Sequence, residues 1–517
     1  MLALTSFALY CGVFFVSATP TPLSYARFSQ PADIRELSSR DSPANRLHSY
    51  DGVDLVHVRR QVPTDDTINF NVLHHLSGIA PYFNSPGVGL QPIPPDGCTV
   101  ESASYLLRHG DIYANDFDYE TYLAPFTQKM GNFTPKSDFL NYSPLAFLAN
   151  WTSPITNETA QVEVLTPTGA ADAQALGKLF AKRYAHLLFG QDNLTVWAAA
   201  SERSTQTAQN FMQGLKSNES DTISLQIIQE EEDQGADTLT PHESCPNYDG
   251  GAGSDQSQQW RAIFTADPIE RFNAAVPSFN FTATDVVAMM EFCGYEMVIN
   301  NNSDFCSFDL FRPEDWLGFE YMNDVQYNYN IGYGFNASPN LGTPWLSASA
   351  EAIGVNTTST NATRPNTTAQ QIFLSFTHRE EPAFIVSALG LFNDSGPAGD
   401  DVNATLPLDQ INYARAWRTS EILPFLGHVG LEKMSCSLGS NISSSAFAPQ
   451  EYVRVLVNSA PMPLPGCSDR GPGDSCVLSE FASFVQARAQ AYGDFKTACN
   501  TTNGTNTISF FQNITKV

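Results

Sequence analysis

The sequence is poor in positive charge. Its 517 residues contain 27 Lys plus Arg against 54 Asp plus Glu, which gives a formal net charge of −27 at pH 7. Nucleic acids and anionic membrane surfaces attract proteins through Lys and Arg, so this composition argues against either of them as a partner. The balance fits a protein that stays dissolved outside the cell, including in acid, where carboxylates are partly protonated.

Long hydrophobic runs are also scarce, and the only one of note lies at the N-terminus. The uncharged run MLALTSFALYCGVFFVSA ends in Ser17 and Ala18 and is followed by polar, Pro-rich chain. Small residues at that point suit signal peptidase, and the run is shorter than an ordinary membrane anchor. We predict a secretory signal at residues 1–18 and a secreted, extracellular mature protein without a membrane anchor.

Hydrophobic periodicity is weak in residues 19–65. This segment is polar, carries Pro and Ser, and contains the dibasic pair Arg59-Arg60. Such chain does not bury enough apolar surface to fold by itself. We interpret it as a disordered leader or as a propeptide cut after Arg60.

Two further patterns fit the secretory route. The sequence has eighteen Asn-X-Ser/Thr sequons, which predict N-glycans, and they include Asn132, Asn141, Asn193, Asn280, Asn356 and Asn403. Of the nine cysteines, Cys11 leaves with the signal. The eight that remain are an even number, as four disulfides in an oxidising compartment require.

Several well-known catalytic motifs are missing. The sequence has no His-Glu-x-x-His zinc pattern, no Gly-Lys-Ser/Thr phosphate loop and no Gly-x-Ser-x-Gly elbow. The acidic run from Glu230 to Asp233 lacks ordered ligand spacing, so we interpret it as a solvated face rather than a metal site. No metal or other cofactor is predicted. A two-carboxylate glycosidase stays open as an alternative, although no motif fixes a carboxylate pair.

What is present is a polar cluster after each of three strand-like segments. The first, SASYLLRHG, ends in Arg108 and His109, and Gly110 then allows the chain to turn. The second, NLTVWAAASERSTQTAQNFMQGL, indicates a strand to about Ala199, then Arg203, then a helix. Lone histidines such as His186 and His242 have no such setting and are interpreted as structural.

The third segment, QIFLSFTHREEPAFIVSALGLF, indicates a strand to Phe376, then a cluster of four polar residues, then a helix opened by Pro382. A further helix, TGAADAQALGKLFAKRYAHLLF, lies between the first two strands. Strands that alternate with helices predict an α/β fold with a largely parallel sheet. Because ligands bind beyond the carboxyl ends of such strands, all three clusters are expected to meet there.

The pattern changes between residues 206 and 365, where Gly, Asn, Ser and aromatic residues dominate and the helices look short. We interpret residues 206–365 as an inserted, smaller and mainly helical lobe. Residues 66–205 and 366–517 then form a discontinuous α/β domain. The sequence shows no internal repeat.

The converging residues have the chemistry of a metal-free phosphoryl transfer site. Arginine guanidinium groups suit a tetrahedral oxyanion, histidine can attack phosphorus and leave again, and a carboxylic acid can protonate a departing alkoxide. The residues are Arg108, His109, Arg203, His378, Arg379, Glu380 and Glu381. This combination predicts a small phosphorylated substrate.

The segments LLRHG, AASERSTQTAQNFMQG and FTHREEPAFIVSALGLFND resemble those of histidine acid phosphatases of the fungal, phytase-like branch. The first is similar to that family's Arg-His-Gly-x-Arg-x-Pro motif, and the third to its distal histidine motif. The resemblance spans about residues 75–500 and implies the α/β sandwich that this family shares with phosphoglycerate mutases. It also implies hydrolysis of phosphate monoesters, inositol phosphates among them.

The resemblance implies a role for each site residue. His109 is the implied nucleophile, which forms a phosphohistidine, and Arg108, Arg203 and His378 bind the phosphoryl oxygens. Glu380 stands at the place of the proton donor, as in the His-x-Glu variant of multiple inositol polyphosphate phosphatases; Glu381 is the less favoured donor. The cysteine spacing matches the fungal phytase pattern and implies the pairs Cys98–Cys436, Cys245–Cys499, Cys293–Cys306 and Cys467–Cys476.

One departure concerns the nucleophile motif itself. The chain has Ile112 and Ala114 where the motif has its second arginine and its proline, and Asp111 adds a negative charge nearby. A charge-assisted contact to phosphate contributes about 1.5–3 kcal/mol, and an isoleucine cannot make one. Arg379 is a candidate to compensate. The alternative is a weak or inactive pseudophosphatase that acts as a secreted binding glycoprotein.

Overall fold

The computed structural model describes residues 64–65, 70–188, 194–216, 222–356, 370–393, 406–437, 450–467 and 470–512. The predicted signal at 1–18, the pair Arg59-Arg60 and nearly all of the predicted leader lie outside these ranges. The first described residues form a two-stranded antiparallel ribbon, β1 (Thr64–Asp65) and β2 (Phe70–Asn71).

A mixed eight-stranded sheet forms the centre of the described structure. Seven strands follow the spatial order β10-β8-β7-β3-β6-β4-β5, and β9 pairs with β8 outside that path. In chain order the strands are β3 (Cys98–Arg108), β4 (Leu194–Ala199), β5 (Ile223–Ile228), β6 (Ile372–Thr377), β7 (His428–Cys436), β8 (Gln450–Val457), β9 (Ala460–Met462) and β10 (Cys476–Val477). The predicted α/β fold class agrees with this sheet.

Only half of the sheet is parallel. Strands β3, β6, β4 and β5 run in one direction, whereas β7, β8, β9 and β10 pair in antiparallel fashion. The sheet is therefore less parallel than the sequence predicts. The parallel half carries the predicted clusters, because Arg108, Ala199 and Thr377 end their strands at one edge.

Helices cover both faces of the sheet. Successive β3 side chains point to opposite faces, so Leu106 and Leu107 belong to different apolar cores. Helices α4 (Pro167–Arg183) and α6 (Glu202–Leu215) pack on the Leu107 face. Helices α11 (Ser338–Ala352), α12 (Glu380–Leu389) and α14 (Leu478–Tyr492) pack on the Leu106 face. The site therefore lies at the edge of a three-layer sandwich.

A third apolar core holds the remaining long helices together, and α9 (Ala283–Asn300) is buried on almost all sides. The other helices are α1 (Asp116–Asp118), α2 (Ala124–Asn132), α3 (Glu158–Gln161), α5 (Ala185–Leu188), α7 (Ser254–Phe264), α8 (Ala266–Ala275), α9 (Ala283–Asn300), α10 (Pro313–Asn330), α13 (Thr419–Ile422) and α15 (Phe495–Ala498). No helix in the described ranges is both long and apolar enough to span a membrane.

The predicted boundary of the helical lobe at residue 206 falls inside α6, and β5 adds a strand to the main sheet beyond it. The α/β layer thus extends to about Ile228, and the chain from α7 to α10 is helical. A separate helical lobe stays a prediction.

Four disulfides join the described part of the chain, and they are the four pairs that the family resemblance implies. Cys98–Cys436 connects β3 with β7, and Cys245–Cys499 connects two segments 254 residues apart. Cys293–Cys306 and Cys467–Cys476 close short loops. This prediction is confirmed.

Candidate active site

Arg108 ends β3 and is almost completely buried. Its Nη1 donates hydrogen bonds to the carbonyl oxygens of Gly78 and Leu423, each at 2.5 Å, and its guanidinium carbon lies 4.4 Å from the ring centroid of Phe425. Its Nε has no hydrogen-bond partner among the described residues. Burial, and then the nearby Arg379, lower the pKa of Arg108 to about 10, so it stays charged at neutral and acid pH.

His109 is buried next to it and is fixed by its backbone, since its N–H donates to Thr377 O at 2.8 Å. Its Nδ1 lies 2.9 Å from the carbonyl oxygen of Gly110, which can only accept, so Nδ1 carries the proton and Nε2 has a free electron pair. Burial, and then the cations Arg108 and Arg203, hold the pKa of His109 well below its usual value. A neutral, nucleophilic imidazole therefore persists into acid.

Gly110 lets the chain after His109 pack directly on the first turn of α4. A Cβ atom at Gly110 would lie 2.9 Å from Gly169 O, and one at Gly169 would lie 2.3 Å from Asp111 O. Thr166, the N-cap of α4, donates its N–H to the same Asp111 oxygen at 2.8 Å. The turn is thus held by close backbone contact with the helix, and Asp111 is completely buried in it.

Ile112 is a buried apolar residue, and its core also contains Phe425, which packs on Arg108. Ile112 is 1% exposed and forms an isolated β-bridge with Leu165. The side chain at the position of the motif's second arginine is therefore a packing residue in this chain.

Arg203 lies in the first turn of α6, and its Nη1 forms an ion pair with Glu163 Oε2 at 2.6 Å. Its side chain is partly exposed, and its Nε has no hydrogen-bond partner within the described part of the chain. Arg203 also lowers the pKa of His109, and its helix contacts the turn after that residue, because Gly110 N–H donates to Thr207 Oγ1 at 3.0 Å. Arg203 follows β4, as the sequence predicts.

His378 follows β6, and its ring centroid lies 5.9 Å from that of His109. Its Nε2 is 3.3 Å from Glu230 Oε2, and its Nδ1 is buried without a hydrogen-bond partner among the residues described. Glu230 also accepts the backbone N–H of Ser201 at 2.7 Å. Glu230 is therefore a partly buried residue of the site, and its interpretation as part of a solvated face is wrong, whereas residues 231–233 are exposed.

Arg379 and Glu380 continue from His378 into the start of α12. Arg379 Nε and Nη2 both lie 3.3 Å from Glu380 Oε1, and the guanidinium carbon of Arg379 is 5.0 Å from the ring centroid of Tyr327. Burial would raise the pKa of Glu380, but Arg379, His242 and His378 lower it to about 2. Without substrate, this carboxyl is ionised.

Glu381 has a different environment from Glu380. Its Oε1 lies 2.5 Å from His242 Nδ1, and its Oε2 accepts the hydroxyl hydrogen of Thr377 at 3.1 Å. Although burial opposes the charged form, Glu381 and Glu243 raise the pKa of His242 well above its usual value. This buried ion pair between Glu381 and His242 lies next to His378, and the ring centroids of His242 and His378 are 6.5 Å apart.

The predicted residues therefore come together, but sequence reasoning missed several of their partners. Glu163 and Glu230 each pair with a predicted phosphate-binding residue. Asp118 accepts hydrogen bonds from Tyr295 and Asn115; burial raises its pKa, against the opposing effect of Arg379. None of these carboxylates belongs to a motif, so no local signal identifies them.

A metal site is not formed by these residues. Within the described chain, the one group of side chains close enough to hold an ion is Cys467, Cys476 and Glu480, where the two sulfurs are joined in a disulfide. Disulfide sulfurs are not the thiolates that bind metals.

Comparison with known proteins gives matches over most of the chain. A sequence model of the histidine phosphatase superfamily (branch 2) matches residues 99–458. An acid phosphatase of Komagataella pastoris is 29% identical over 462 residues, 85% of this chain and 90% of its own length. A phytase of Candida albicans is 29% identical over 430 residues, 81% of this chain and 85% of its own length.

Solved structures give the same result for the fold. The crystal structure of a phytase from D. castellii superimposes with a TM-score of 0.74 at 26% identity, covering 87% of this chain and 92% of that one. A multiple inositol polyphosphate phosphatase of Bifidobacterium longum matches with a TM-score of 0.53 at 13% identity, covering 80% and 97%. The predicted fold class, an α/β sandwich of this type, is confirmed.

Proposed function

The chain belongs to the histidine phosphatase superfamily (branch 2), and from that premise we propose that it is an acid phosphatase that hydrolyses phosphate monoesters through a phosphohistidine. Its relatives named acid phosphatase and phytase support this class of activity. The activity resides at the parallel edge of the sheet, with His109 as the nucleophile.

The observation that carries the proposal is a set of three buried nitrogen atoms. Arg108 Nε, Arg203 Nε and His378 Nδ1 have no hydrogen-bond partner within the described residues. Buried donors are nearly always satisfied, and leaving one unpaired costs about 1–3 kcal/mol. Three such atoms around one imidazole fit a site arranged for the oxygens of a phosphoryl group, once His378 is protonated.

In the first step, Nε2 of His109 attacks phosphorus and the P–O bond to the alcohol breaks. The departing oxygen takes a proton from Glu380, because an alkoxide leaves poorly without one. In the second step, a water molecule attacks phosphorus, gives a proton back to Glu380, and the N–P bond breaks to release phosphate. Arg108, Arg203 and protonated His378 hold the negative charge in both steps.

The cations that hold phosphate in this scheme are side chains, so we expect activity in the presence of EDTA. The low pKa of His109 keeps its imidazole neutral in acid, as an acid phosphatase requires. Glu380 has to take up a proton after substrate binds, because it is ionised in the free site. A phosphate dianion nearby favours the neutral carboxyl and so raises its pKa.

The carboxylates around the site favour simple monoesters over phytate as substrates. Glu163 pairs with Arg203, Glu230 with His378, and Glu380 with Arg379. A hexakisphosphate brings many charges that these carboxylates repel, whereas a single phosphate group needs only the central cations. We therefore propose a general acid phosphatase with weaker activity on inositol phosphates.

Secretion and N-glycosylation are part of the same proposal. Eleven sequons have their asparagine in the described ranges, and none of these asparagines is buried: nine are exposed, and Asn301 and Asn393 are partly exposed. Oligosaccharyl transfer needs accessible asparagines. The four disulfides also suit an oxidising compartment.

The test is phosphate release from p-nitrophenyl phosphate and from phytate between pH 2.5 and 7, with EDTA present. His109→Ala should lower kcat by about 10⁴-fold or more, since it removes the nucleophile. His186→Ala is a matched control because His186 lies on α5 and contacts the carbonyl of Val100. If the folded wild type and His109→Ala had equal rates on both substrates, the phosphatase proposal would be wrong, and a secreted binding glycoprotein would be the better interpretation.

A further inference from the structure

Arg379 lies beside Arg108 although the two residues come from different strand ends. Gly78 marks their meeting point: a Cβ atom at Gly78 would lie 3.1 Å from Arg379 Cδ, 3.7 Å from Arg108 Nη1 and 3.8 Å from the hydroxyl oxygen of Tyr327. Any larger residue at position 78 would therefore meet both arginine side chains. The two positively charged side chains occupy one small region of the site.

Two neighbouring buried cations repel each other. The effect is visible in Arg108, whose pKa is lowered first by burial and then by the charge of Arg379. Such a pair is stable only when negative charge lies close to both guanidinium groups. Glu380 and Asp118 supply part of it, since both act on the charge of Arg379.

The contact between Arg379 and Glu380 is loose. Both nitrogen-to-oxygen distances are 3.3 Å, whereas charge-assisted hydrogen bonds of this kind are usually about 2.7–2.9 Å. Arg379 is steadied by the face of Tyr327 rather than by a tight bidentate pair. Its guanidinium can therefore turn to a second anion without breaking a strong hydrogen bond.

From this geometry we propose that Arg379 is a phosphate-binding residue that takes the place left by Ile112, and that it exchanges Glu380 for the phosphoryl group when substrate binds. The inference rests on the proposed function. Ile112 is packed in the apolar core, so its position offers no donor to the site. Arg379 supplies the second guanidinium beside Arg108 from the segment that follows β6.

The exchange also gives Glu380 its proton. While Arg379 faces Glu380, the carboxyl is held ionised, and burial alone would favour its neutral form. Once Arg379 turns to the phosphoryl oxygens, Glu380 loses part of its counter-charge and takes up a proton from solvent. That proton is the one it transfers to the departing alcohol, so substrate binding itself would prepare the acid.

A purely structural arginine would behave differently. If Arg379 only neutralised Glu380 and packed on Tyr327, its removal would act on phosphate solely through the uncompensated Glu380 carboxylate, so Arg379→Gln would leave the phosphate affinity unchanged in a Glu380→Gln background. The informative variants are Arg379→Gln, which keeps hydrogen-bond donors without charge, and Arg379→Lys, which keeps charge without the fork. Arg312→Gln is a matched control, because Arg312 pairs with the exposed Asp267 between α8 and α10.

The experiment measures the binding of inorganic phosphate by calorimetry, and kcat/KM for p-nitrophenyl phosphate against pH. Arg379→Gln should weaken phosphate binding and lower kcat/KM by about ten- to a hundredfold, and Arg379→Lys should restore part of each. With the cation gone, the pKa of Glu380 rises, so the basic limb of the kcat/KM profile should move to higher pH. Arg312→Gln should match the wild type.

The inference would be overturned if a folded Arg379→Gln protein, or Arg379→Gln in a Glu380→Gln background, bound phosphate as tightly as its parent, because the shift of the basic limb is expected under either role. Phosphate binding can be measured without turnover, so the role of Arg379 in binding phosphate and the proposed phosphatase activity are tested independently. If the wild type has no activity that depends on His109, the proposed phosphatase fails, and calorimetry still decides whether Arg379 binds phosphate.

Discussion

Two buried charged clusters adjoin β3, and they differ in how their hydrogen bonds are satisfied. The candidate site lies at the end of the strand. The second group, here the Glu432 cluster, lies along its length and consists of Tyr105, Arg183, Tyr184, Glu432 and Arg454. Both clusters are almost free of solvent at their centres, because Arg108 and Glu432 are each at most 2% exposed.

In the Glu432 cluster the buried polar side-chain atoms have hydrogen-bond partners, and we call such a cluster closed. Glu432 Oε1 accepts from Arg183 Nη2 at 2.8 Å and from the hydroxyl of Tyr184, and Oε2 accepts from Arg454 Nε at 2.5 Å. The outer nitrogens of both arginines donate to the carbonyls of Pro92 and Ile93. This cluster ties a loop and a helix to the sheet, and within the described residues none of its buried side-chain nitrogens or oxygens lacks a hydrogen-bond partner.

The candidate site, in contrast, leaves Arg108 Nε, Arg203 Nε and His378 Nδ1 unpaired among the described residues. The same residue types therefore serve two purposes, and the difference lies in whether every donor already has an acceptor. A closed cluster stabilises the fold in its own right, whereas an open one is complete only when an oxyanion binds. Substitutions in the two clusters should separate stability from activity.

The largest effect is expected for Glu432→Gln, which leaves two buried guanidinium groups without their carboxylate. We expect a loss of about 3–5 kcal/mol in the free energy of unfolding at pH 6, measured with urea. Turnover per folded molecule should stay that of the wild type. A variant of full stability would show that the Glu432 cluster is not what holds this part of the sheet.

The difference in unfolding free energy between wild type and Glu432→Gln should depend on pH. Burial opposes ionisation of Glu432, but Arg183 and Arg454 lower its pKa to about 2 from an ordinary 4.5. A lowered pKa stabilises the fold above the unfolded value, and this contribution is lost as pH falls from about 4.5 towards 2. Wild type and Glu432→Gln should therefore differ less in stability as pH falls below about 4.5, and converge at about pH 2 and below.

Arg203→Gln should show the opposite pattern. The partly exposed pair with Glu163 contributes about 0.2–1 kcal/mol to stability, so unfolding should change little. A lost charge-assisted contact to phosphate amounts to about 1.5–3 kcal/mol, which lowers kcat/KM about ten- to a hundredfold. Steady-state kinetics on p-nitrophenyl phosphate checks this, and a stable variant with wild-type kinetics would place Arg203 outside the site.

The smallest effect is expected for Glu163→Gln, which removes a carboxylate that competes with phosphate for Arg203. The dissociation constant for inorganic phosphate should fall by up to about fivefold, in line with about 0.2–1 kcal/mol for a partly exposed ion pair. Asp267→Asn, at a pair distant from the sheet edge, is the control. Weaker phosphate binding in Glu163→Gln would mean that the carboxylate orients Arg203 instead of competing for it.

The sequence predicts the open cluster better than the closed one. Arg108, Arg203 and His378 each follow an apolar strand segment, and parallel strands bring such ends together, so their meeting was predictable. Glu432 lies inside a strand with no local sign that its carboxylate is buried. Its partners come from positions 183 and 454, and contacts over such distances leave no pattern in the sequence.

The direction of individual side chains also could not be predicted from the sequence. Motif spacing locates Ile112 two residues after Gly110, but only the structure shows that this side chain is 1% exposed and packs in an apolar core. In the same way, Glu230 looks like one of several solvated acids until β5 brings it to His378. The antiparallel half of the sheet was not predicted, because β7 and β8 are buried on both faces and do not show alternation.

The most direct test of the open cluster is a crystal structure at acid pH with tungstate, a tetrahedral analogue of phosphate. We predict an anion within hydrogen-bond distance of Arg108 Nε, Arg203 Nε and His378 Nδ1, with His109 Nε2 facing its central atom. Tungstate bound elsewhere, with those three nitrogens still unpaired or contacting only water, would contradict the account.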